Sequence, residues 1–297
     1  GSRLTYSYSN RTYANRAMFT HATGMMSNGW ALTASGSRRW SERGYVNGVF
    51  YDAWAYFLSL EKKINDAHTF ALTALASPTE RGVSTGSTQE AYDLTGFNFY
   101  NANIGMQNGK WRNARVRDNH EPVFVFNHYW NIDEKSRLTT SLGYRFGRNG
   151  YSALNWSDAP DPRPDYYRYL PSYYDKESKF DLGNEVREMW YSDPNTRYIN
   201  WHKLYNANYG NLDAITDADG KTVASGKRSK YIVEDRRNDQ KQFTFSTVLN
   251  TNLSDNLKLD WGMTFRRSNT HYFKTVKDLL GGEYWYDIDQ FAERDFA

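Results

Sequence analysis

The sequence predicts an all-β fold: an antiparallel up-and-down sheet of about nine long strands, with short turns at one end and long loops at the other. Apolar and polar residues alternate with period two over segments of about ten to fourteen residues, against about five or six in an ordinary strand. Four short turns share one grammar, in which an apolar residue leads, small polar or acidic residues turn, and a second apolar residue follows six positions after the first. They are Met26-Ser27-Asn28-Gly29 with Leu32, Ile64-Asn65-Asp66 with Phe70, Ile132-Asp133-Glu134 with Leu138, and Leu253-Ser254-Asp255 with Leu259. At the other ends of these segments the connections are long, polar and rich in Tyr, Trp and Pro. Short turns on one side and long loops on the other mark the wall of a transmembrane β-barrel, whose tilted strands need about nine to eleven residues to cross a bilayer.

Taken in order, the first three strands are expected near 2–9, 14–24 and 30–40. The fourth, near 50–63, alternates Trp54, Tyr56, Leu58 and Leu60 with Ala53, Ala55, Ser59 and Glu61. The fifth, near 68–77, sets Phe70, Leu72, Ala74 and Ala76 against Thr73 and Ser77. The sixth lies near 121–131. In the seventh, near 136–148, Leu138, Leu142, Tyr144 and Phe146 oppose Thr139, Ser141, Gly143 and Arg145. The eighth, near 239–251, alternates Phe243, Phe245 and Leu249 with Thr244, Ser246 and Asn250. The ninth, near 256–271, sets Leu259, Trp261, Met263 and Phe265 against Lys258, Asp260, Gly262, Thr264 and Arg266. Pro78 and Pro122 bound strands, while Pro160, Pro162, Pro164, Pro171 and Pro194 fall in the longest loop, so no proline breaks a ladder. Three loops remain, 79–120, 150–238 and 272–297, with short helices expected near 182–191, 198–207 and 287–295 and a tight hairpin turn at Asp219-Gly220.

Composition fits this reading. Aromatics make up 17 % of 297 residues, with 24 Tyr and 10 Trp, yet the mean hydropathy is −0.84. Rings without abundant aliphatics suit a lipid–water boundary or a sugar platform better than an ordinary core. A net charge of +3, with both signs interspersed, points away from nucleic acid. Cysteine is absent, which removes disulfides and thiolate metal sites. No apolar run is long enough for a transmembrane helix. The chain opens Gly-Ser without a signal peptide and its last segment ends in mid-loop, which reads as a piece of a larger protein; the Gly-Ser is equally compatible with a cloning scar.

Chemistry-bearing motifs are weak. Gly82-Val83-Ser84-Thr85-Gly86 fits the G-x-S-x-G nucleophile elbow, but polar Ser87, Thr88 and Gln89 follow and no α/β pattern surrounds it, so it is read as loop. His21, His68, His120, His128, His202 and His271 lack metal-site spacing; His128, beside Tyr129 and Trp130 near a strand end, suits an interface girdle. Asp217-Ala218-Asp219-Gly220 has Ile215 where a calcium loop needs its first Asp. Asp158, Asp161, Asp165 and Asp175 are read as solvated loop charge. No enzyme and no cofactor is expected.

Several segments resemble the barrel of Bacteroidota TonB-dependent outer-membrane receptors, SusC-like or related. They are Glu61-Lys62-Lys63-Ile64-Asn65-Asp66, Asn127-His128-Tyr129-Trp130 leading to Leu138-Thr139-Thr140, Thr23-Gly24-Met25-Met26, Gly36-Ser37-Arg38-Arg39-Trp40, and Asp161-Pro162-Arg163-Pro164-Asp165-Tyr166-Tyr167. The resemblance implies a 22-stranded barrel in the outer membrane of a Gram-negative bacterium, plugged by an N-terminal domain and driven by TonB. It also implies a possible surface lipoprotein lid of the SusD kind. The sequence departs from that pattern in having about nine strands, no plug and no TonB-contacting segment, so 1–297 reads as one partial barrel domain.

On this reading Trp54, Tyr56, Leu58, Phe70, Leu142, Tyr144, Trp261 and Phe265 face lipid, while Arg145, Lys258, Asp260 and Arg266 face the lumen. Tyr166, Tyr169, Trp190 and Trp201, with Arg163 and Arg168, are the candidate ligand contacts, because flat rings with polar tips hold sugars, siderophores or peptides. The whole would import a bulky nutrient captured by the loops. The competing expectation is a soluble or surface β-sandwich that binds carbohydrate through the same aromatic loops.

Overall fold

A computed structural model describes residues 1–217, 219–289, 292 and 295. The strands are β1 (Ser2–Tyr8), β2 (Asn15–Ala22), β3 (Trp30–Ser41), β4 (Tyr51–Lys63), β5 (His68–Ala76), β6 (Thr79–Gly82), β7 (Ile104–Gln107), β8 (Lys110–Asn113), β9 (Val116–His120), β10 (Val123–Asn131), β11 (Ser136–Trp156), β12 (Leu212–Thr216), β13 (Thr222–Lys227), β14 (Tyr231–Ser254) and β15 (Leu257–Asp278). The helices are α1 (Gln89–Thr95), α2 (Pro171–Lys176), α3 (Phe180–Ser192), α4 (Pro194–Arg197) and α5 (Trp201–Tyr209). One open sheet runs in the order β1-β2-β3-β4-β5-β10-β11-β14-β15, and all its pairings are antiparallel. β6 and β9 pair with each other and extend the sheet between β4 and β11.

The turns explain the pairing. Ile64 and Ile132 each donate a backbone N–H four residues on, to His68 and Ser136, at 2.9 Å in both cases. The next side chain closes the loop: Asn65 Oδ1 accepts from the His68 N–H at 2.8 Å, and Asp133 Oδ1 from the Lys135 N–H at 2.8 Å. That bond holds the Asp133 carboxyl below its usual range. The repeated apolar-polar-acidic pattern is therefore a repeated hydrogen-bonded turn. Pro78 and Pro122 stand where β5 gives way to β6 and β9 to β10. Neither can donate, but their carbonyls accept from Trp54 and Phe146 at 2.9 and 3.2 Å, so the neighbouring strands stay satisfied.

Three strands run further than the sequence predicts. β11 continues to Trp156, β14 starts at Tyr231 and β15 reaches Asp278. The stretches Asn149-Gly150 and Glu234 to Asn238 look like loop, yet both stay in the ladder: Asn149 pairs with Asn119 of β9, Gly150 with Asp118 of β9 and Arg237 of β14, and Glu234 to Asn238 with β15. The longest connection shrinks to 157–230. The expected loop 79–120 also carries structure: β6, α1, β9 and the hairpin β7–β8. That hairpin turns on Asn108-Gly109, both at positive φ (52° and 76°), a turn signal the expectations above passed over. The expected helices at 182–191 and 198–207 are α3 and α5, and the Asp219-Gly220 turn joins β12 to β13. Residues 287–289 of the expected helix 287–295 are irregular, and 290, 291, 293 and 294 lie outside the described residues, as does Ala218.

Among the described residues, cores of the ordinary kind sit at the long-loop end. One gathers Ala114, Ile199, Trp201, Leu204, Tyr231, Val233 and Leu280; a second gathers Ala91, Leu94, Tyr100, Ala102, Leu170 and Trp190. Gly105, in β7, lies against the irregular chain leading into α5, where a Cβ would overlap the Ile199 carbonyl oxygen. Gly105→Ala is expected to force that contact apart and break the 2.8 Å bond from the Ile199 N–H to the Ile104 carbonyl. Protease cleavage between α4 and α5, absent in the parent, would report it.

Candidate functional site

The sheet has two chemically different faces, and cross-strand register defines them. One row runs Leu32, Leu60, Leu72, Phe126, Leu142, Phe245 and Phe265, side by side on seven neighbouring strands. Among the described residues no second layer covers it: Leu60, Leu72, Phe126, Leu142 and Phe265 are all exposed. The alternate residues form a polar face stitched by hydroxyls and amides. Thr20 meets Ser35 at 2.8 Å, Ser141 donates to Asn127 at 2.6 Å, and Ser246 meets Thr264 at 3.2 Å.

Aromatic rings bound the apolar face at both ends. Towards the short turns, His68 stacks on His128 and Trp130 with centroids 5.3 and 5.6 Å apart, and Phe70 stacks on His128 at 4.5 Å. His68 Nδ1 and His128 Nε2 also lie 3.0 Å apart. Beside them the Lys62 ammonium sits 4.9 Å from the Trp30 ring. Towards the long loops, the Arg38 guanidinium lies between Trp40 and Trp54, 5.4 and 5.1 Å from their centroids, and pairs with Asp52 at 2.8 Å. Such rings with charged tips occupy a boundary between apolar and wet surroundings.

The loop residues singled out from the sequence separate into two groups. Arg163, Tyr166, Arg168 and Tyr169 are brought together. Tyr166 packs edge-on against Tyr167 and Tyr169 at 4.8 and 5.4 Å, and Tyr167 against Tyr173 at 5.8 Å. Arg163 is held by Asp161 and lies 5.4 Å from the Trp156 ring and 5.9 Å from that of Tyr166. Arg168 Nε donates to the Tyr167 hydroxyl at 2.9 Å, which holds that phenol below its ordinary value. Loss of water and the bond to Tyr167 push Tyr166 the other way. Tyr167 is 52 % exposed, so this ladder of rings is an accessible surface.

Trp190 and Trp201 do not join it: they are 0 % and 1 % exposed, core residues of the two clusters. Trp190 Nε1 donates to the Tyr169 carbonyl at 3.2 Å, supporting the ladder from beneath. Trp201 lies under Arg112, 4.2 Å from its guanidinium. Sequence spacing could not tell a buried ring from a presented one.

Ser84 lies between β6 and α1, and among the described residues no hydrogen bond joins it to a histidine or carboxylate. Asp161, Asp165 and Asp175 hold Arg163, Ser87 and Arg187 respectively. Among the described residues no group of three metal-ligating side chains forms. A cationic row on the polar face escaped the sequence reading: Arg81, Arg117, Arg236 and Lys274 share one cross-strand line with Tyr51 and Tyr151. Only the register shows it, because β6 and β9 are too short to display alternation.

No protein-family model matches the sequence, and no curated protein matches it. Among solved structures the chain is similar to the siderophore receptor PiuA from Acinetobacter baumannii, at 10% identity and a TM-score of 0.37, over 93% of this chain and 45% of that one. It is also similar to a Pseudomonas aeruginosa FadL homologue, at 11% identity and a TM-score of 0.25, over 90% of this chain and 73% of that one. The chain thus spans less than half the length of the siderophore receptor.

Proposed function

We propose that this chain is an arc of the wall of an outer-membrane β-barrel transporter of a Gram-negative bacterium, of the TonB-dependent kind. The observation that carries the reading is an uncovered apolar face bounded by aromatic girdles on long antiparallel strands. On β11 the band runs from Leu138 to Phe146, eight residue steps. At about 3.3 Å per residue and a tilt of about 40° it stands on the order of 20 Å high, close to the roughly 25 Å apolar band of such barrels. Trp54, Tyr56, Leu58, Phe70, Leu142, Tyr144, Trp261 and Phe265 contact lipid, and the polar face lines the lumen. The four short turns lie on the periplasmic side.

In the intact receptor the long loops capture a bulky nutrient, with Arg163, Tyr166, Arg168 and Tyr169 as its contacts and Trp190 and Trp201 as their scaffold. TonB, acting on a plug domain, opens the path, and a surface lipoprotein covers the loops. The protein performs transport rather than catalysis. A carbohydrate-binding sandwich is disfavoured on physical grounds. It needs a second sheet over the apolar face, and the other sheets among the described residues are the two-stranded β7–β8 and β12–β13.

Fractionation of source cells, with an antibody to this segment, tests the reading. A band in the outer membrane that shifts between unboiled and boiled samples is expected. A soluble or secreted band indifferent to boiling would overturn it.

A further inference from the structure

The polar face is not uniformly polar. In the half nearer the short turns charges of both signs, Glu61, Lys63, Arg137, Lys258 and Asp260, stand among Ser, Thr and Asn, whereas in the half nearer the long loops it becomes cationic. One row carries Arg81, Arg117, Arg236 and Lys274 on β6, β9, β14 and β15, with Tyr151 of β11 between Arg117 and Arg236. The row beside it carries Arg16 opposite Arg39, and Asn119 opposite Asn149. Like charges directly opposite one another weaken a sheet. Arg16 faces Arg39 and Arg81 faces Arg117 all the same.

Carboxylates offset only part of this charge. Among the described residues one, Glu234, touches the row, pairing with Arg236 and, at 3.8 Å, with Lys274. Among the described residues Arg16, Arg39, Arg81 and Arg117 make no ion pair, although eleven other basic residues do. The side chains of Arg81 and Arg117 are exposed. Among the described residues the buried Arg16 Nε and Asn119 Oδ1 find no hydrogen-bond partner. At the β15 end the row opens into a cleft of about 670 Å³ lined by Arg117, Tyr151, Arg236, Tyr272 and Lys274.

We propose that this cleft and the row leading from it bind a multiply anionic solute, an acidic oligosaccharide being the class that uses every group present. The inference rests on the wall reading above and names the substrate class for it. Neighbouring strands are about 4.8 Å apart, so the row offers positive charge at intervals of about 5 to 10 Å over about 20 Å. Guanidinium groups bind carboxylate, phosphate or sulfate through paired N–H donors. Tyr151 and Tyr272 supply faces for sugar rings, and Asn149 and Asn238 supply amides for hydroxyls. A lipid headgroup is not the source of the anion, because the row lies on the face opposite the apolar band. Solute reaching the lumen from the long loops meets this row before the half of the wall where charges of both signs are mixed.

The test is calorimetric titration of the full-length receptor that contains this chain, held in an uncharged detergent. Trigalacturonate is the anionic probe and maltotriose the neutral one. Trigalacturonate is expected to bind at low salt, weakening at least about tenfold between 50 and 500 mM NaCl, with maltotriose bound far more weakly. Arg81→Gln and Arg117→Gln, chosen because neither leaves a carboxylate unpaired, are each expected to weaken trigalacturonate by about tenfold. Equal binding of the two probes, or unchanged affinity in both variants, would overturn the proposal. An acidic domain of the receptor itself seated on the row would overturn it too. Neither probe would then bind, and the double variant would lower the receptor's melting midpoint instead. A heat-modifiable band in the same preparations keeps the wall reading separate; if the parent lacks one, that reading fails and takes this inference with it.

Discussion

Leu142→Arg is expected to abolish outer-membrane assembly, while Thr139→Arg, three residues away on the same strand, leaves it intact. Leu142 lies in the middle row of the apolar face, between Phe126 on β10 and Phe245 on β14. The row of Trp130 and Trp261 lies two rows away on one side and that of Phe146 two rows away on the other. An arginine at the middle of a lipid-facing barrel surface costs about 2–4 kcal/mol, and its guanidinium has the longest way to either headgroup layer. Thr139 points to the other face, between Tyr129 and Val248, where Arg137 already lies 5.0 Å from the Tyr129 ring. A cation there replaces a hydroxyl on a wet surface. The amount of heat-modifiable protein in the outer-membrane fraction measures both variants. Equal assembly would show that the two faces see the same surroundings, and the membrane assignment would fall.

The contrast between those positions was legible in the sequence because alternation is local. Leu138, Leu142, Tyr144 and Phe146 report one face of β11 by spacing alone, and the turn residues Asn65 and Asp133 mark where β4 reverses into β5 and β10 into β11. What was not legible depended on partners distant in sequence. Tyr151 and Arg236 look like loop residues because charged and aromatic residues fill both faces there, and only their pairing keeps them in strands. Arg81 and Arg117 are 36 positions apart and adjacent in space. Trp190 and Tyr167 read alike as loop aromatics, yet one is sealed by Tyr100 and Leu170 while the other stands open. The Asn108-Gly109 hairpin is the exception, a local signal that alternation on either side was too short to draw attention to.

Asn208→Leu is expected to release the long-loop layer without dismantling the wall. The Asn208 side chain is fully buried. Its Nδ2 donates to the carbonyls of Tyr231, Leu279 and Leu280 at 2.8, 2.9 and 3.1 Å. Its Oδ1 accepts the backbone N–H groups of Lys230 and Tyr231 at 2.8 and 3.0 Å. One amide thus fastens α5 to the start of β14 and to the chain leaving β15. Leucine fills the same volume but takes the Asn208 partner from two backbone N–H donors and from the Tyr231 and Leu280 carbonyls, at a cost of about 1–3 kcal/mol for each group left unsatisfied, while the Leu279 carbonyl keeps the Ser229 hydroxyl and the Gly282 N–H. The loss is confined to the layer that Asn208 joins, because the rows of β11, β14 and β15 below Tyr231 make no use of it. Protease added to outer membranes should therefore cut Asn208→Leu within 157–230, where the parent resists, while both keep the heat-modifiable shift. Asn206→Leu, on the exposed side of α5, where the side chain meets His202 alone among the described residues, should resist like the parent. If Asn208→Leu resisted as well, the loops would be held by the Trp201 cluster alone. If it lost the heat-modifiable shift, the loop layer and the wall would be one cooperative unit, and the long loops could not move against the barrel to admit a solute.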